Sequence, residues 1–165
     1  MKNFKKGFTL IELLVVTAII AILASVVLAV LSNSRSRGVD AAVKSNLTNA
    51  IKQGEILYST RTNSPYTYTG ACTNGLVAGE TIQGAGVLVF AAAKAFGLPN
   101  YSGYTTAGTG LIAVCHADPA GSAWAAEVPL SGSSTAPNIK VWCVDSTGKS
   151  LQESNSLPAF VYACS

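Results

Sequence analysis

The strongest restriction on the fold comes from an apolar stretch near the N-terminus. It runs from Phe8 to Leu31, 24 residues, and contains one charged residue, Glu12. A helix rises about 1.5 Å per residue, so this stretch would form a helix about 36 Å long. Because the hydrocarbon core of a bilayer is about 30 Å thick, the stretch predicts a helix that spans a membrane.

The residues before the apolar stretch predict its orientation. Lys2, Lys5 and Lys6 precede it, and basic flanking residues stay on the cytoplasmic side. Everything from Ser32 onward is therefore expected outside the cytoplasm. A secretory signal peptide also begins with positive charge, but its apolar core has only about 7–15 residues. The longer run predicts a single-pass segment in the inner (cytoplasmic) membrane.

The net charge argues against a nucleic-acid-binding surface. The chain has 11 basic and 8 acidic residues, a formal charge of +3, and three of the basic residues are the lysines before the apolar stretch. Without those lysines the two signs balance. A near-neutral body lacks the broad basic face that phosphate binding needs, so direct nucleic-acid recognition is not predicted.

A short motif lies where the lysines meet the apolar stretch. It reads Lys6-Gly7-Phe8-Thr9-Leu10-Ile11-Glu12-Leu13 and resembles the prepilin-type processing motif that type IV pilins share with the pseudopilins of type II secretion systems. The resemblance implies that residues 1–7 are a leader. A membrane-embedded prepilin peptidase would cut between Gly7 and Phe8 and methylate the new N-terminal amine of Phe8.

Glu12 is the single charge within the apolar stretch. A carboxylate in the hydrocarbon core costs about 3 kcal/mol unless something compensates it. The resemblance implies an assembly role, in which Glu12 pairs with the cationic amine of Phe8 on a neighbouring subunit. Such a pair would set the register of stacked subunits, while the apolar helix faces pack together. The alternative is a membrane anchor whose glutamate has no special role.

Beyond Leu31 the pattern becomes that of an amphipathic helix. Apolar residues recur every three or four positions, at Val39, Val43, Leu47, Ile51 and Leu57 or Tyr58. The helix is expected to continue from the membrane and to break between Thr60 and Pro65. The predicted organisation is thus a leader (1–7), a membrane and filament-core helix (8–31), an amphipathic continuation (32–62) and a globular head (63–165).

Four small residues bear on the continuity of this helix. Ala21 and Ala29 stand where the resembled family often carries glycine and proline, so the helix is expected to stay unbroken. Gly38 and Gly54 lie within the amphipathic part, and each is expected to cost about 1 kcal/mol relative to alanine.

The head predicts an antiparallel meander after a loop at residues 66–84 and a short helix at Val87–Phe96. The predicted strands are Gly110–Cys115, Ala123–Leu130, Asn138–Asp145 and Ala159–Cys164, and a turn at Asp145–Gly148 would pair the third run with Lys149–Glu153. One sheet face would cover the helix, with Leu47, Ile51, Val141, Trp142 and Val161 in or near the core. The expected class is α+β, a long helix packed against a small antiparallel sheet, the pilin fold.

The four cysteines, Cys72, Cys115, Cys143 and Cys164, all fall in the head. Their even number and the absence of a C-x-x-C pair favour disulfides in an exported domain over a metal site, and four cysteines allow three pairings. Cys143–Cys164 resembles the C-terminal loop staple of many pilins. This resemblance favours that pair together with Cys72–Cys115.

No pattern predicts catalysis, a metal or a cofactor. His116 and Asp118 lie near several serines, but no serine stands in a G-x-S-x-G motif. His116 is also the only histidine, and the ligand spacing of a zinc site is missing. The chain is therefore predicted to be neither an enzyme nor a cofactor-binding protein.

The resemblance implies a structural subunit of an extracellular type IV pilus, used in adhesion, motility or DNA uptake. Its partners would be copies of itself, the prepilin peptidase and the assembly machinery of the inner membrane, with nucleic acid met only by the assembled pilus. One alternative is a type II secretion pseudopilin, although four cysteines and scattered acidic residues favour a pilin. The other is a membrane-anchored binding domain or enzyme that works as a monomer.

Overall fold

The computed structural model describes residues 7–62, 65–103 and 105–165. Residues 1–6 of the predicted leader, with their three lysines, lie outside this part. The chain divides into two compact units, which meet in sequence between Arg37 and Gly38. The predicted α+β class is confirmed, and the elements are α1 (Leu10–Thr60), α2 (Gly86–Phe96), β1 (Tyr101–Ser102), β2 (Ala113–Ala117), β3 (Trp124–Pro129), β4 (Val141–Asp145) and β5 (Ser150–Glu153).

α1 is one uninterrupted helix of 51 residues. The expected continuity through Ala21 and Ala29 is confirmed, and the helix ends at Thr60, within the predicted interval. Its buried residues are Val43, Leu47, Ala50, Gly54 and Leu57. Their spacing alternates between four and three positions, so they form a single face.

α2 was predicted over Val87–Phe96 and begins one residue earlier, at Gly86. Gly97 follows it in the left-handed conformation (φ 103°), and its N–H donates to the carbonyls of Ala93 (3.1 Å) and Lys94 (3.0 Å). Glycine suits this C-terminal cap because it has no Cβ to clash. The predicted end of the helix is therefore confirmed.

The strands form one sheet in the order β1-β2-β3-β4-β5. β2 to β5 are antiparallel neighbours in sequence order, which confirms the meander. At the predicted turn between β4 and β5, Asp145 Oδ1 accepts hydrogen bonds from the N–H groups of Thr147 (2.9 Å) and Lys149 (3.2 Å). β1 is parallel to β2 and was not predicted, since two residues carry no periodic pattern.

The predicted strand at Ala159–Cys164 is wrong. The segment forms turns and irregular structure, and Phe160 has a positive φ of 62° that interrupts any extended run. Its backbone also bonds to side chains of the sheet, as where Val161 O lies 2.9 Å from His116 Nδ1. Its apolar residues therefore pack on the sheet without joining it as a strand.

The sheet is covered on both faces because successive residues of a strand point to opposite sides. One face packs against α1 and α2 in a cluster that includes Leu47, Val89, Trp124, Val128 and Val144. The other face packs against residues 154–165, here called the C-terminal segment, in a cluster that includes Val114, Ala125, Cys143, Leu157 and Cys164. The C-terminal segment is thus part of the core rather than a loose end.

The five predicted core residues divide between these two faces. Leu47 and Val141 are fully buried, and Ile51 and Trp142 are partly buried against the helix-side cluster. Val161 is partly buried in the cluster on the opposite face. Its expected place in or near the core is confirmed, on the side of the sheet that the C-terminal segment covers.

Two glycines of α1 are expected to respond in opposite ways to alanine. A Cβ at Gly54 would lie 2.8 Å from Trp124 Nε1, whereas a Cβ at Gly38 would have no atom within 4 Å. Gly54→Ala should therefore lower the free energy of unfolding of the head by about 1–3 kcal/mol through overpacking. Gly38→Ala should raise it by up to about 1 kcal/mol through helix propensity.

Chemical unfolding followed by tryptophan fluorescence measures both effects, because Trp124 is fully buried. Each variant is the control for the other, since both make the same chemical change in the same helix. Equal shifts in the two midpoints would contradict the close packing of Gly54 on Trp124.

Candidate functional site

The N-terminus of α1 is closed by a reciprocal pair of side chains, Thr9 and Glu12. Glu12 Oε2 accepts hydrogen bonds from Thr9 N–H (2.8 Å) and from Thr9 Oγ1 (2.7 Å), and Glu12 N–H donates to Thr9 Oγ1 (3.3 Å). This is a capping box, in which an N-cap threonine and the glutamate three residues later satisfy free donors of the first turn. The pair holds the Glu12 carboxylate at the start of the helix.

The carboxylate keeps one oxygen available. Both of its hydrogen bonds within the described chain end on Oε2, so Oε1 can accept from a further donor. An incoming cation could therefore bind Glu12 without displacing Thr9. A negative charge at a helix N-terminus is also stabilised by the helix dipole.

An apolar surface surrounds this site. Every large apolar side chain between Phe8 and Leu31 is exposed, and α1 is long and apolar enough to cross a membrane. Exposed apolar surface of this extent marks contact with lipid or with another protein. The apolar part of α1 is thus expected to contact lipid or another protein.

The predicted cleavage position, between Gly7 and Phe8, lies before the first helical residue, Leu10. Gly7 is exposed, Phe8 has 81% of its surface accessible, and a Cβ at Gly7 would meet no atom within 4 Å. The fold of this chain therefore sets no requirement for glycine at position 7. A peptide bond in this position is accessible to an enzyme that needs an extended backbone.

Comparison with known proteins shows which proteins this N-terminus resembles. Residues 2–31 match the family model of the prokaryotic N-terminal methylation motif. The type IV wide pilus major component PilA4 of Thermus thermophilus is 51% identical over 64 residues, 39% of this chain and 47% of the relative. The N-terminal part of the chain is therefore similar to type IV pilins. The chain spans about half the length of that relative, and no solved structure matches it.

Thr9 is a residue of this N-terminus to which the motif alone assigns no role. The motif points to Gly7, Phe8 and Glu12. A signal for Thr9 is present, because a threonine followed by glutamate three residues later, at the start of an apolar run, is the pattern of a capping box. The structure brings Thr9 and Glu12 into direct contact.

Both expected disulfides are present in the head. Cys72–Cys115 joins the loop before α2 to β2, across a sequence separation of 43 residues. Cys143–Cys164 joins β4 to the C-terminal segment, across 21 residues. Each bond therefore ties an irregular segment to the sheet.

The residues that could suggest chemistry are engaged in holding the fold. His116 is fully buried, with Nδ1 2.9 Å from Val161 O and Nε2 2.9 Å from Thr106 O. Asp118 bonds to Ser122 and to Ala120 N–H within its own loop, and these hydrogen bonds lower the pKa of the Asp118 carboxyl. The two side chains thus serve separate structural contacts.

One cluster has the composition of a metal site. Side-chain atoms of Cys143, Glu153 and Cys164 lie within 4.8 Å of one another. The two cysteines form a disulfide, however, and a disulfide offers no thiolate to a metal. Glu153 also accepts a hydrogen bond from Ser165 N–H at 2.7 Å, so the donor set does not fit a metal.

Proposed function

We propose that this chain is a structural subunit of an extracellular type IV pilus and that its filament serves adhesion, motility or DNA uptake. The methylation motif at residues 2–31 and the similarity to a major pilus component of Thermus thermophilus support this function. The subunit has no catalytic role in this proposal, because its one histidine is buried between two carbonyl groups. Nucleic acid would meet the assembled pilus rather than a single subunit.

The precursor is proposed to reside in the inner membrane with its lysines in the cytoplasm. A prepilin peptidase then cuts between Gly7 and Phe8 and methylates the Phe8 amine. Assembly machinery of the same membrane moves the processed subunit into the filament. The accessible, non-helical position of Gly7 and Phe8 supports this order of events.

The observation that supports assembly most directly is the position of Glu12. Its carboxylate lies among exposed apolar side chains, with Oε2 bonded to Thr9 and Oε1 available. The processed amine of Phe8 on a neighbouring subunit would supply the positive charge that balances the Glu12 carboxylate. Pairing would lower the cost of burying the carboxylate when apolar helix faces pack against one another. Thr9 serves here as a positioning residue for Glu12.

The processing step predicts the N-terminus of the mature protein. Mass spectrometry of protein sheared from the cell surface should find Phe8 as the first residue, carrying one methyl group. Gly7→Ala should leave the unfolding midpoint unchanged, since a Cβ there meets no atom within 4 Å. Gly7→Leu should abolish processing, because the side chain would block the backbone approach of the peptidase.

Electron microscopy of the same sheared material tests the filament itself. Filaments that carry this chain on the cell surface are the expected result. Filaments confined to the periplasm would instead indicate a secretion pseudopilus. A chain that still begins at Met1 and is recovered only as a monomer would contradict the proposed function altogether.

A further inference from the structure

The sheet face beneath the C-terminal segment carries an ionisable side chain from each of four neighbouring strands. They are His116 of β2, Glu127 of β3, Asp145 of β4 and Glu153 of β5. The first three are fully buried and Glu153 is 8% exposed. Buried ionisable groups are costly unless they are bonded, so their partners define what they do.

The two groups nearer the centre of the sheet bond to the backbone of the C-terminal segment. Glu127 Oε2 accepts a hydrogen bond from Leu157 N–H at 2.8 Å. His116 Nδ1 lies 2.9 Å from Val161 O. These contacts take the place of the hydrogen bonds that a strand at this position would make with a neighbouring strand.

Asp145 at the end of β4 and Glu153 at the end of β5 hold the end of the same segment. Asp145 Oδ2 accepts from Cys164 N–H at 2.9 Å, and Glu153 Oε1 accepts from Ser165 N–H at 2.7 Å. Lys149 Nζ donates to Cys164 O at 2.8 Å. Ionisable side chains therefore supply the main polar attachment of the segment.

Glu127 is the group whose protonation changes near neutral pH. Burial raises its pKa from 4.5 to about 7, hydrogen bonds from Leu157 and Ser156 oppose the shift, and Glu153 nearby adds to it. Because the folded state holds the proton more tightly than the unfolded state, the stability contributed by neutral Glu127 declines as pH rises from about 4.5 to about 7.

His116 adds a further polar contact to the segment. Its two ring nitrogens face the carbonyl oxygens of Thr106 and Val161, each at 2.9 Å. The ring thus links the C-terminal segment to the loop that contains Thr106.

The remaining titratable groups around Glu127 do not oppose this trend. Burial acts against ionised Asp145, but hydrogen bonds from Thr147, Cys164 and Lys149 hold its pKa below the ordinary value. It therefore stays ionised near neutral pH and adds negative charge on the same face. Residues 105–112, which cover Glu127 from the other side, contain no titratable side chain, and the C-terminal segment contributes Tyr162.

We propose that the C-terminal segment is a pH-dependent cover of the sheet, attached firmly in acidic medium and loosened when the medium turns alkaline. Loosening breaks the contact of Leu157 first, because Glu127 holds this residue. The disulfide Cys143–Cys164 keeps the far end of the segment in place. The change is thus local, and it does not depend on the proposed pilus function.

Hydrogen–deuterium exchange of the full chain in detergent micelles tests this proposal. Exchange would be measured at about pH 5.5 and about pH 8.5 and corrected for the intrinsic amide exchange rate at each pH. The disulfides would be reduced during the quench step. Protection of residues 154–165 is expected to fall by about tenfold between the two conditions. Protection of residues 43–57 of α1 should stay constant, since that stretch has no contact with the titrating groups.

Two matched variants test whether ionisation of Glu127 causes this loss of protection. Glu127→Gln keeps an oxygen that can accept from Leu157 N–H but cannot ionise, so the loss of protection at alkaline pH should shrink several-fold. Glu12→Gln makes the same chemical change in the other compact unit and should leave the profile unchanged. Equal protection of residues 154–165 at both pH values in the unmodified chain would overturn the proposal. A pH dependence of protection in Glu127→Gln as steep as that of the unmodified chain would also overturn it.

Discussion

Glu12→Ala is expected to insert into the membrane normally and to form no filaments. The apolar stretch that drives insertion is unchanged, but the Phe8 amine of each neighbour would be buried without its counter-ion. Removing one partner of a buried ion pair costs about 3–5 kcal/mol. At about 1.4 kcal/mol per factor of ten, the assembly constant per subunit should fall by about a hundredfold or more. Filament counts by electron microscopy, normalised to membrane-bound subunit on an immunoblot, measure this loss.

Glu12→Gln separates the capping role that the structure shows from the proposed pairing role. Glutamine can keep the capping box with Thr9, but it carries no charge to pair with the amine. If pairing governs assembly, Glu12→Gln should fail like Glu12→Ala. Normal filaments from Glu12→Gln would show that the cap alone is needed, and normal filaments from Glu12→Ala would refute any assembly role.

The second large effect is expected from the disulfide Cys72–Cys115. A cross-link stabilises mainly by restricting the unfolded chain, and the effect grows with the length of the closed loop. The 43-residue separation of Cys72–Cys115 corresponds to about 4 kcal/mol, and the 21-residue separation of Cys143–Cys164 to about 3 kcal/mol. The C72A/C115A variant should therefore lose more unfolding free energy than C143A/C164A. Urea unfolding monitored by tryptophan fluorescence gives both values.

The comparison of these two double variants contains its own control. Each removes two cysteines and leaves the other disulfide in place, so the number of thiols stays equal. A greater loss from C143A/C164A would contradict the ranking by loop length. Such a result would mean that attachment of the C-terminal segment contributes more to stability than the entropy of the longer loop.

Elements that depend on near neighbours in the chain were predictable. The length of α1, its end at Thr60 and the cap at Gly97 follow from apolar spacing and from residues with special backbone preferences. The antiparallel order of β2 to β5 follows from short runs joined by turns. The N-terminal motif likewise places Gly7, Phe8 and Glu12 together, because all three lie within six consecutive positions.

The C-terminal segment could not be predicted in this way. Its alternating apolar residues suit a strand, yet its backbone is bonded by His116, Glu127, Asp145 and Glu153. These residues come from four separate strands, and no local pattern states that they meet. A pattern in one segment can report which of its faces is apolar, but it cannot report which donors and acceptors a distant segment offers.

Gly38 and Gly54 show the same division within one helix. In the sequence the two are equivalent, because each is a glycine in an amphipathic helix with the same intrinsic cost. In the folded chain Gly54 lies against the buried ring of Trp124, while Gly38 faces open space. Amino-acid order was enough for the membrane helix, the processing motif and the number of disulfides, since these depend on hydrophobicity and on adjacent residues. The close packing at Gly54 and the burial of Glu127 arise only when segments 30 or more residues apart are brought together.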